Sequence, residues 1–333
     1  MLGSVSEIRL RYLMTDFLRT PDENFALTDF SFAPNYHEWQ DLRMHYVDEG
    51  PEQGPVMLLL HGMPTWSYLY RDMIPGLTAA GYRCIAPDHM GFGKSDKPTD
   101  IHWYTIARHT EILNSLIVDL DLVNITLVCQ DWGGPTGLAQ AAMMPERFDH
   151  LVIMNTWLHH PGYEYSDGIR SWNAGWHDGG LYHKERPDIG LLPLVSAGLL
   201  ERDDFIRGFA QDQKLELSGT AAAMYNAYSA PYRGLPDEGY NGFRRFPLSI
   251  PCDNYHNGNA AAQSLHYRTL LDWKKGCQFI WGCEDNVFTE AWGRTWAERM
   301  HNARFDGLAA GHFPQNTHGE RLVEIILDEK GSA

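Results

Sequence analysis

The chain has 333 residues, of which 44% are hydrophobic and 21% charged, a size and composition typical of one large globular domain with an insert or of two domains. Its net charge of −16 argues against nucleic acid or an anionic membrane surface as a partner and favours a neutral substrate. The five cysteines contain no Cys-x-x-Cys pair, and no apolar run reaches membrane-spanning length. We therefore expect free thiols and a cytoplasmic protein.

The first forty residues lack periodicity and are predicted to wrap over the surface, and the alternating residues 42–48 predict an edge strand. Further along the chain, short apolar runs alternate with segments of helical spacing. This alternation predicts a mostly parallel, doubly wound sheet covered by helices on both faces. The runs predicted as strands are residues 56–60, 83–86, 124–128, 151–154, 278–281 and 303–308.

The alternation stops near Trp157, where a stretch rich in Trp, Tyr, Gly and His begins. Helical patches within this stretch fall at residues 191–200 and 220–228. We predict that residues 157–238 form a helical cap over the carboxyl edge of the sheet. Residues 1–156 and 239–333 are then predicted to form the α/β core.

The run at 124–128 ends in Cys129-Gln130-Asp131-Trp132-Gly133-Gly134 and opens into a helical segment. This layout is typical of a strand-to-helix elbow, which projects one side chain at the edge of the sheet. In the pattern Gly-x-Ser-x-Gly, Asp131 takes the place of the serine, which argues against serine acyl transfer. A carboxylate needs no base to displace a leaving group from saturated carbon, and the product is an alkyl ester. The alternative is that Asp131 only caps the helix.

An ester on Asp131 would need a histidine to activate water and an acid to orient that histidine. His312 follows the last predicted strand, and Asp285 follows the strand at 278–281, so both are expected at the carboxyl edge. Their order after Asp131 matches nucleophile, acid and base in α/β-hydrolases. Taken singly, His312 could be a surface-loop residue and Asp285 a turn former beside Glu284.

An oxyanion hole in such a site uses two backbone N–H groups, one after the nucleophile and one from the loop after an earlier strand. These are predicted to be the N–H groups of Trp132 and Met63. His61, in His61-Gly62, is then expected to shape that loop and to have no chemical role.

Several motifs resemble haloalkane dehalogenases of the first subfamily, a family with the α/β-hydrolase fold, over roughly residues 14–328. They are His61-Gly62-Met63-Pro64-Thr65-Trp66, Gly91-Phe92-Gly93-Lys94-Ser95-Asp96-Lys97-Pro98, Gln130-Asp131-Trp132-Gly133-Gly134 and Gly311-His312-Phe313. The resemblance implies Asp131 as nucleophile, Asp285 as acid and His312 as base. It further implies a small neutral halogenated substrate, water and a halide product, with no cofactor and no metal, and we expect a monomer.

The family binds the departing halide with two N–H donors, and the resemblance assigns these to Trp132 and to a cap tryptophan. Trp172 fits the cap stretch and Trp176 is its rival, while either could simply pack the cap onto the core. Met63 stands where comparable members of the family have Asn or Glu, and its side chain has no N–H to donate to a halide. Either Trp172 or Trp176 then supplies the second donor, or halide stabilisation is weak and the substrate differs.

Two other functions remain open from the sequence. An epoxide hydrolase shares the nucleophile, base and acid but adds tyrosine proton donors. The cap candidates for that role are Tyr225, Tyr228, Tyr232 and Tyr255. A binding protein without catalysis is the third possibility, because neither a fold nor a triad fixes function.

Overall fold

The computed structural model describes residues 15–26, 28–177, 219–252, 256–301 and 303–331. The helical patch predicted at 191–200 therefore lies outside the described residues. The strands are β1 (Phe17–Leu18), β2 (Asn35–Trp39), β3 (Leu42–Glu49), β4 (Val56–Leu60), β5 (Arg83–Pro87), β6 (Lys97–Pro98), β7 (Ile125–Gln130), β8 (Phe148–Met154), β9 (Gly276–Gly282) and β10 (Arg304–Leu308).

Within these residues, the main sheet has eight strands in the order β10-β9-β8-β7-β4-β5-β3-β2. Neighbours from β10 to β5 pair in parallel, and β3 and β2 extend the sheet antiparallel. Every residue of β4 and of β7 is buried, as the continuous apolar runs predict for strands covered on both faces. The mostly parallel sheet predicted from the sequence is confirmed, and its carboxyl edge gathers the ends of β7 to β10.

The prediction of an edge strand at residues 42–48 is wrong, because the strand there, β3, lies between β2 and β5. The true edge strand, β2, falls in the stretch that was predicted to be an irregular wrap. It is short, only His37 in it is buried, and Gln40 makes the turn to β3 at a φ of 56°. Without an Asn-Gly or Asp-Gly pair, the sequence carries no strong hairpin signal there.

The helices described are α1 (Ile74–Ala79), α2 (Ile106–Asp119), α3 (Gly133–Met143), α4 (Asp167–His177), α5 (Gly219–Ser229), α6 (Asn241–Leu248), α7 (Ala260–Leu271), α8 (Glu290–Arg299) and α9 (Gln315–Gly331). Alternate residues of β4 enter two separate hydrophobic clusters. Leu58 and Leu60 join the cluster with α2 and α3, whereas Met57 and Leu59 join the cluster with α1 and α9. The sheet is thus doubly wound, with one core on each face.

Helix α4 and the residue before it are hydrogen-bonded both to α6 and to the loop after β9. Asn173 Nδ2 donates to Pro247 O at 2.8 Å, and Ser166 Oγ, just before α4, donates to Val287 O at 2.6 Å. Gly168 must be glycine here, because a Cβ would overlap the carbonyl of Asn286. In the part of the chain that the structure covers, no helix has the length and apolar character needed to cross a membrane.

Candidate active site

Asp131 lies between β7 and α3 with a φ of 50°, a conformation that non-glycine residues rarely adopt. Its N–H donates to Asn155 O at 3.0 Å, and its carbonyl accepts from Gly134 N at 2.9 Å and from the Thr156 hydroxyl. The N-cap of α3 is Trp132, without a side-chain cap bond, so Asp131 does not serve as the helix cap. Backbone strain held by several hydrogen bonds is typical of functional sites.

Two glycines allow the loop after β4 and the elbow to approach each other. A Cβ on Gly62 would overlap Asp131 Oδ1, and a Cβ on Gly133 would overlap the carbonyl oxygen of Leu60. This close approach brings Met63 N to 2.8 Å from Asp131 Oδ1, to which it donates. The predicted Met63 donor therefore contacts the carboxylate. Within the described residues, Trp132 N makes no such bond.

The predicted base and acid lie beside the predicted nucleophile. His312 Nδ1 is 2.8 Å from Asp285 Oδ2, and His312 Nε2 is 3.6 Å from Asp131 Oδ2. The side chain of Asp285 is 1% exposed and that of His312 is 15% exposed. Because a carboxylate only accepts, His312 Nδ1 carries the proton toward Asp285, and Nε2 faces the nucleophile.

The electrostatics of His312 follow from these contacts. Burial lowers the pKa of the imidazole, but the charge of Asp285, the hydrogen bonds to Asp131 and Asp285 and the charge of Asp131 together raise the pKa to about 10. Part of this increase depends on the negative charge of Asp131. Any reaction that neutralises Asp131 therefore lowers the pKa of His312 and increases the fraction of neutral imidazole, the form that can accept a proton.

Asp285 is oriented by groups other than His312. Asn155 Nδ2 donates to Asp285 Oδ2 at 2.9 Å, and Val287 N donates to Asp285 Oδ1 at 2.7 Å. Asn155 also joins the ends of β8 and β9, since its Nδ2 donates to Gly282 O and its Oδ1 accepts from Gly282 N at 2.8 Å. Asn155 thus holds the carboxylate of Asp285, the predicted acid, in place.

Aromatic rings form an apolar wall from the elbow to the histidine. Trp132 contacts Trp157 and Phe246, with ring centroids 4.6 and 5.1 Å apart. Trp157 stacks on Phe288, whose ring lies 5.4 Å from His312. An apolar wall weakens competition from water and strengthens electrostatic interactions inside the site. Trp132 is 2% exposed, and within the described residues no hydrogen bond from its indole N–H is found.

Comparisons with known proteins agree with this geometry. A model of the alpha/beta hydrolase fold matches residues 55–182. A haloalkane dehalogenase of Psychrobacter cryohalolentis is 37% identical over 328 residues, covering 93% of this chain and 96% of the relative. The chain belongs to the haloalkane dehalogenase family. The expected fold and the expected family are both confirmed.

Two further relatives add detail. The solved structure of a tetrameric haloalkane dehalogenase from Paraglaciecola agarilytica is 33% identical, has a TM-score of 0.78 and is matched over 96% of this chain and 99% of that chain. A cis-3-alkyl-4-alkyloxetan-2-one decarboxylase of Shewanella oneidensis is 31% identical, over 85% of this chain and 84% of the relative. This fold therefore also occurs in a relative named for a different reaction.

The two candidates for the second halide donor both lie on α4, where their rings pack at 5.6 Å. Trp176 is 1% exposed, whereas Trp172 is partly buried against the larger hydrophobic cluster. Within the described residues, neither ring contacts Trp132 directly. Helix α4 is instead hydrogen-bonded to α6, and Phe246 of α6 contacts the ring of Trp132.

Two of the four tyrosines that could serve an epoxide hydrolase donate to other groups. The hydroxyl of Tyr228 donates to Asn316 Oδ1 at 2.8 Å, and that of Tyr232 donates to Gly91 O at 3.2 Å. Tyr255 lies outside the described residues, and Tyr225 is partly buried on α5. The epoxide hydrolase hypothesis is therefore not favoured, and neither is the binding-protein hypothesis for a member of this enzyme family.

Sequence reasoning missed two polar residues of the site. Gln130, the residue before the nucleophile, contacts His312, and Asn155 holds Asp285. Both are buried polar residues at the carboxyl ends of strands whose last residues are buried, where a polar side chain must find a hydrogen bond. A polar residue at the end of a buried strand was therefore the sequence signal that could have identified both residues. His61 was predicted to be structural, and its ring bonds the backbone of Gly62 and His89.

Proposed function

We propose that this protein hydrolyses neutral haloalkanes to an alcohol, a halide and a proton, with Asp131 as nucleophile, His312 as base and Asp285 as acid. The observation that supports it most is Asp131, which occupies the nucleophile position of the elbow and lies 3.6 Å from a histidine bound to a second carboxylate. Membership in the haloalkane dehalogenase family supports the same reaction.

The first step is displacement at saturated carbon. Asp131 Oδ1 is held by the Met63 N–H, so the attacking oxygen is Oδ2. A bond forms from Oδ2 to the carbon, and the carbon–halogen bond breaks with its electron pair leaving on the halide. Because the halide leaves without a proton, neutral N–H donors in an apolar pocket are enough to stabilise it.

The second step is hydrolysis of the ester. Alkylation removes the charge of Asp131 and with it part of what raises the pKa of His312. His312 Nε2 then takes a proton from water, and the hydroxide adds to Cγ of Asp131. The negative charge develops on Oδ1, next to Met63 N–H. Collapse breaks the Cγ–Oδ2 bond, so Oδ2 leaves in the alcohol, which takes the proton from His312 Nε2. The new carboxyl group on Asp131 releases its proton to solvent, and this restores the carboxylate.

Within this proposal, Trp132 and Trp172 bind the halide, with Trp176 as the rival for the second position. The Trp132 N–H and the aromatic wall around it support the first assignment. The match of residues 166–172 to the cap of the family supports the second. Residues 157–238 act as the cap over the core formed by residues 1–156 and 239–333.

The experiment is halide release from a short 1-bromoalkane and a terminal dibromide, with an epoxide and a cis-dialkyl β-lactone as competing substrates. Wild type is compared with Asp131→Asn, which removes the nucleophile. Asp149→Asn is the matched control, because Asp149 is an exposed carboxylate at 3.8 Å from Lys275. We expect halide release by wild type and the control, and a loss of more than about 10³-fold in Asp131→Asn.

Diol formation from the epoxide without halide release would move the assignment to an epoxide hydrolase. Alkene formation from the β-lactone without halide release would move it to the reaction for which the Shewanella relative is named. Equal halide release by Asp131→Asn would contradict the nucleophile assignment.

The proposed nucleophile, base and acid lie close together within a single chain, so the chemistry itself needs no second subunit, and we propose a monomer in the cytoplasm. The Paraglaciecola relative is described as a tetramer. Sedimentation velocity at working concentrations would show a species of 38.0 kDa if the protein is a monomer. A species about four times heavier would contradict it.

A further inference from the structure

Gln130 is the last residue of β7 and is fully buried. Its side chain points toward the histidine, not toward the nucleophile that follows it. Gln130 Nε2 donates to His312 O at 3.0 Å and lies 3.1 Å from His312 Nε2. One amide nitrogen thus faces both the carbonyl oxygen and the ring nitrogen of the same residue.

These contacts fix the orientation of the amide. A carbonyl oxygen only accepts, so the NH₂ end of Gln130 must face His312 O, and its second hydrogen is directed at His312 Nε2. Rotating the amide by half a turn would bring Gln130 Oε1 against the carbonyl oxygen of His312 and remove that bond. As placed, Oε1 is buried and has no partner within the described residues. The Gln130 amide is therefore held as a donor toward the ring.

Resting on the proposed role of His312 as base, we propose that Gln130 is a positioning residue. Its N–H holds His312 Nε2 as an acceptor and so favours the neutral imidazole, the form that can take a proton from water. A donor that faces a ring nitrogen stabilises its lone pair and opposes an N–H at the same place.

The charges around His312 oppose the neutral imidazole that the Gln130 N–H favours. Asp131 from the elbow and Asp285 from the loop after β9 both favour the imidazolium. Of the other titratable groups, His61 interacts electrostatically with Asp131, and Tyr163 with Asp285. When Asp131 becomes an ester its charge disappears. The Gln130 N–H then opposes only the charge of Asp285, which still favours the imidazolium. A base works best when its pKa is near the working pH.

The test compares Gln130→Met, which removes the N–H but keeps the length, with Gln130→Glu, which keeps the shape and replaces the donor by an acceptor. Gln140→Met is the matched control, because Gln140 is also fully buried but donates to Thr110 O on α2. The measurements are the pH dependence of ester hydrolysis in single turnovers and the NMR titration of the His312 ring.

We expect both Gln130 variants to raise the pKa of His312 by about one unit or more, so that ester hydrolysis near neutral pH falls about tenfold and recovers at higher pH. Gln130→Glu should show the larger shift, and Gln140→Met none. A rate lowered equally at every pH, or an unchanged His312 titration, would overturn the inference and leave Gln130 a structural role. If wild type releases no halide, the proposed function fails, yet the NMR titration still tests the effect of Gln130 on the ring.

Discussion

The two carboxylate oxygens of Asp131 have different environments. Oδ1 accepts from the backbone of Met63, whereas Oδ2 faces the ring of His312. In the proposed mechanism this difference separates the two chemical steps, because the oxygen that would form the ester is the one nearest His312. The oxygen that would become an oxyanion already accepts from Met63 N. Each role is set by the backbone of the elbow and the neighbouring loop.

Replacement of His312 by Phe should stop the cycle after the first step. Phe keeps a ring beside Phe288 and Phe313 but cannot accept a proton from water. We expect a burst of about one halide per chain and a stable mass increase on Asp131, because alkylation needs no base. The measurement is intact-protein and peptide mass spectrometry after a single addition of a bromoalkane.

His301→Phe provides the control for this variant, since His301 is an exposed histidine outside the site. It should turn over like wild type. Steady turnover in His312→Phe, without ester accumulation, would show that another group activates water.

At the scale of elements, the site is assembled where four neighbouring strands end. Asp131 follows β7, Asn155 follows β8, and Asp285 and His312 follow β9 and β10. Asn155 connects the middle pair through its bonds to Gly282 and Asp285. The geometry of the acid therefore depends on how β8 and β9 are held together.

Asn155→Ala should weaken both the fold and the chemistry. It leaves the buried Gly282 N–H without a partner and removes one donor to Asp285, each at a cost of about 1–3 kcal/mol. We expect a lower urea midpoint and a kcat reduced about tenfold or more, as for partners that orient a catalytic group. Asn114→Ala, which removes side-chain bonds to Gln140 and Met144, should lower the urea midpoint alone. An unchanged kcat in Asn155→Ala would argue that Asp285 needs no such support.

The sequence predicted these elements unevenly. Strands such as β4 and β7 are continuous apolar runs, and their ends place Asp131, Asp285 and His312 at one edge of the sheet. β2 escaped prediction because an edge strand with one buried residue has little apolar patterning. Gln130 and Asn155 could not be assigned partners, because their contacts depend on the register between strands that are distant in sequence. Periodicity within one strand contains no information on register across a sheet.

At the scale of the whole molecule, the stability of the fold depends on pH through three buried histidines. The rings of His61 and His89 lie 4.7 Å apart, and those of His89 and His109 lie 5.5 Å apart. Burial lowers the pKa of His61 and His89 and lowers the pKa of His109 to about 3. The unfolded chain binds protons at these residues more readily than the folded chain. Stability is therefore lost as the pH falls below about 6.5, the ordinary histidine value.

His109→Phe should reduce this acid sensitivity. His109 is 2% exposed and its Nε2 has no partner in the described part of the chain, so Phe removes a titrating group without breaking a bond at that atom. By linkage, His109 alone accounts for a loss of about 2 kcal/mol between about pH 7 and pH 5. The check is urea unfolding at both pH values, with the exposed His102→Phe as control. An equal loss of stability in wild type and His109→Phe would contradict this.

The order of the strands has one more consequence. β10 is the outermost strand on its side, paired only with β9 among the described strands, and it leads to His312. Asp131 follows β7, in the middle of the sheet. Edge strands open locally at a lower free-energy cost than central ones. Such an opening would displace His312, the proposed base, and leave Asp131, the proposed nucleophile, in place. An ester formed at that moment would last until the edge closes, so its lifetime would report on how long the edge stays open.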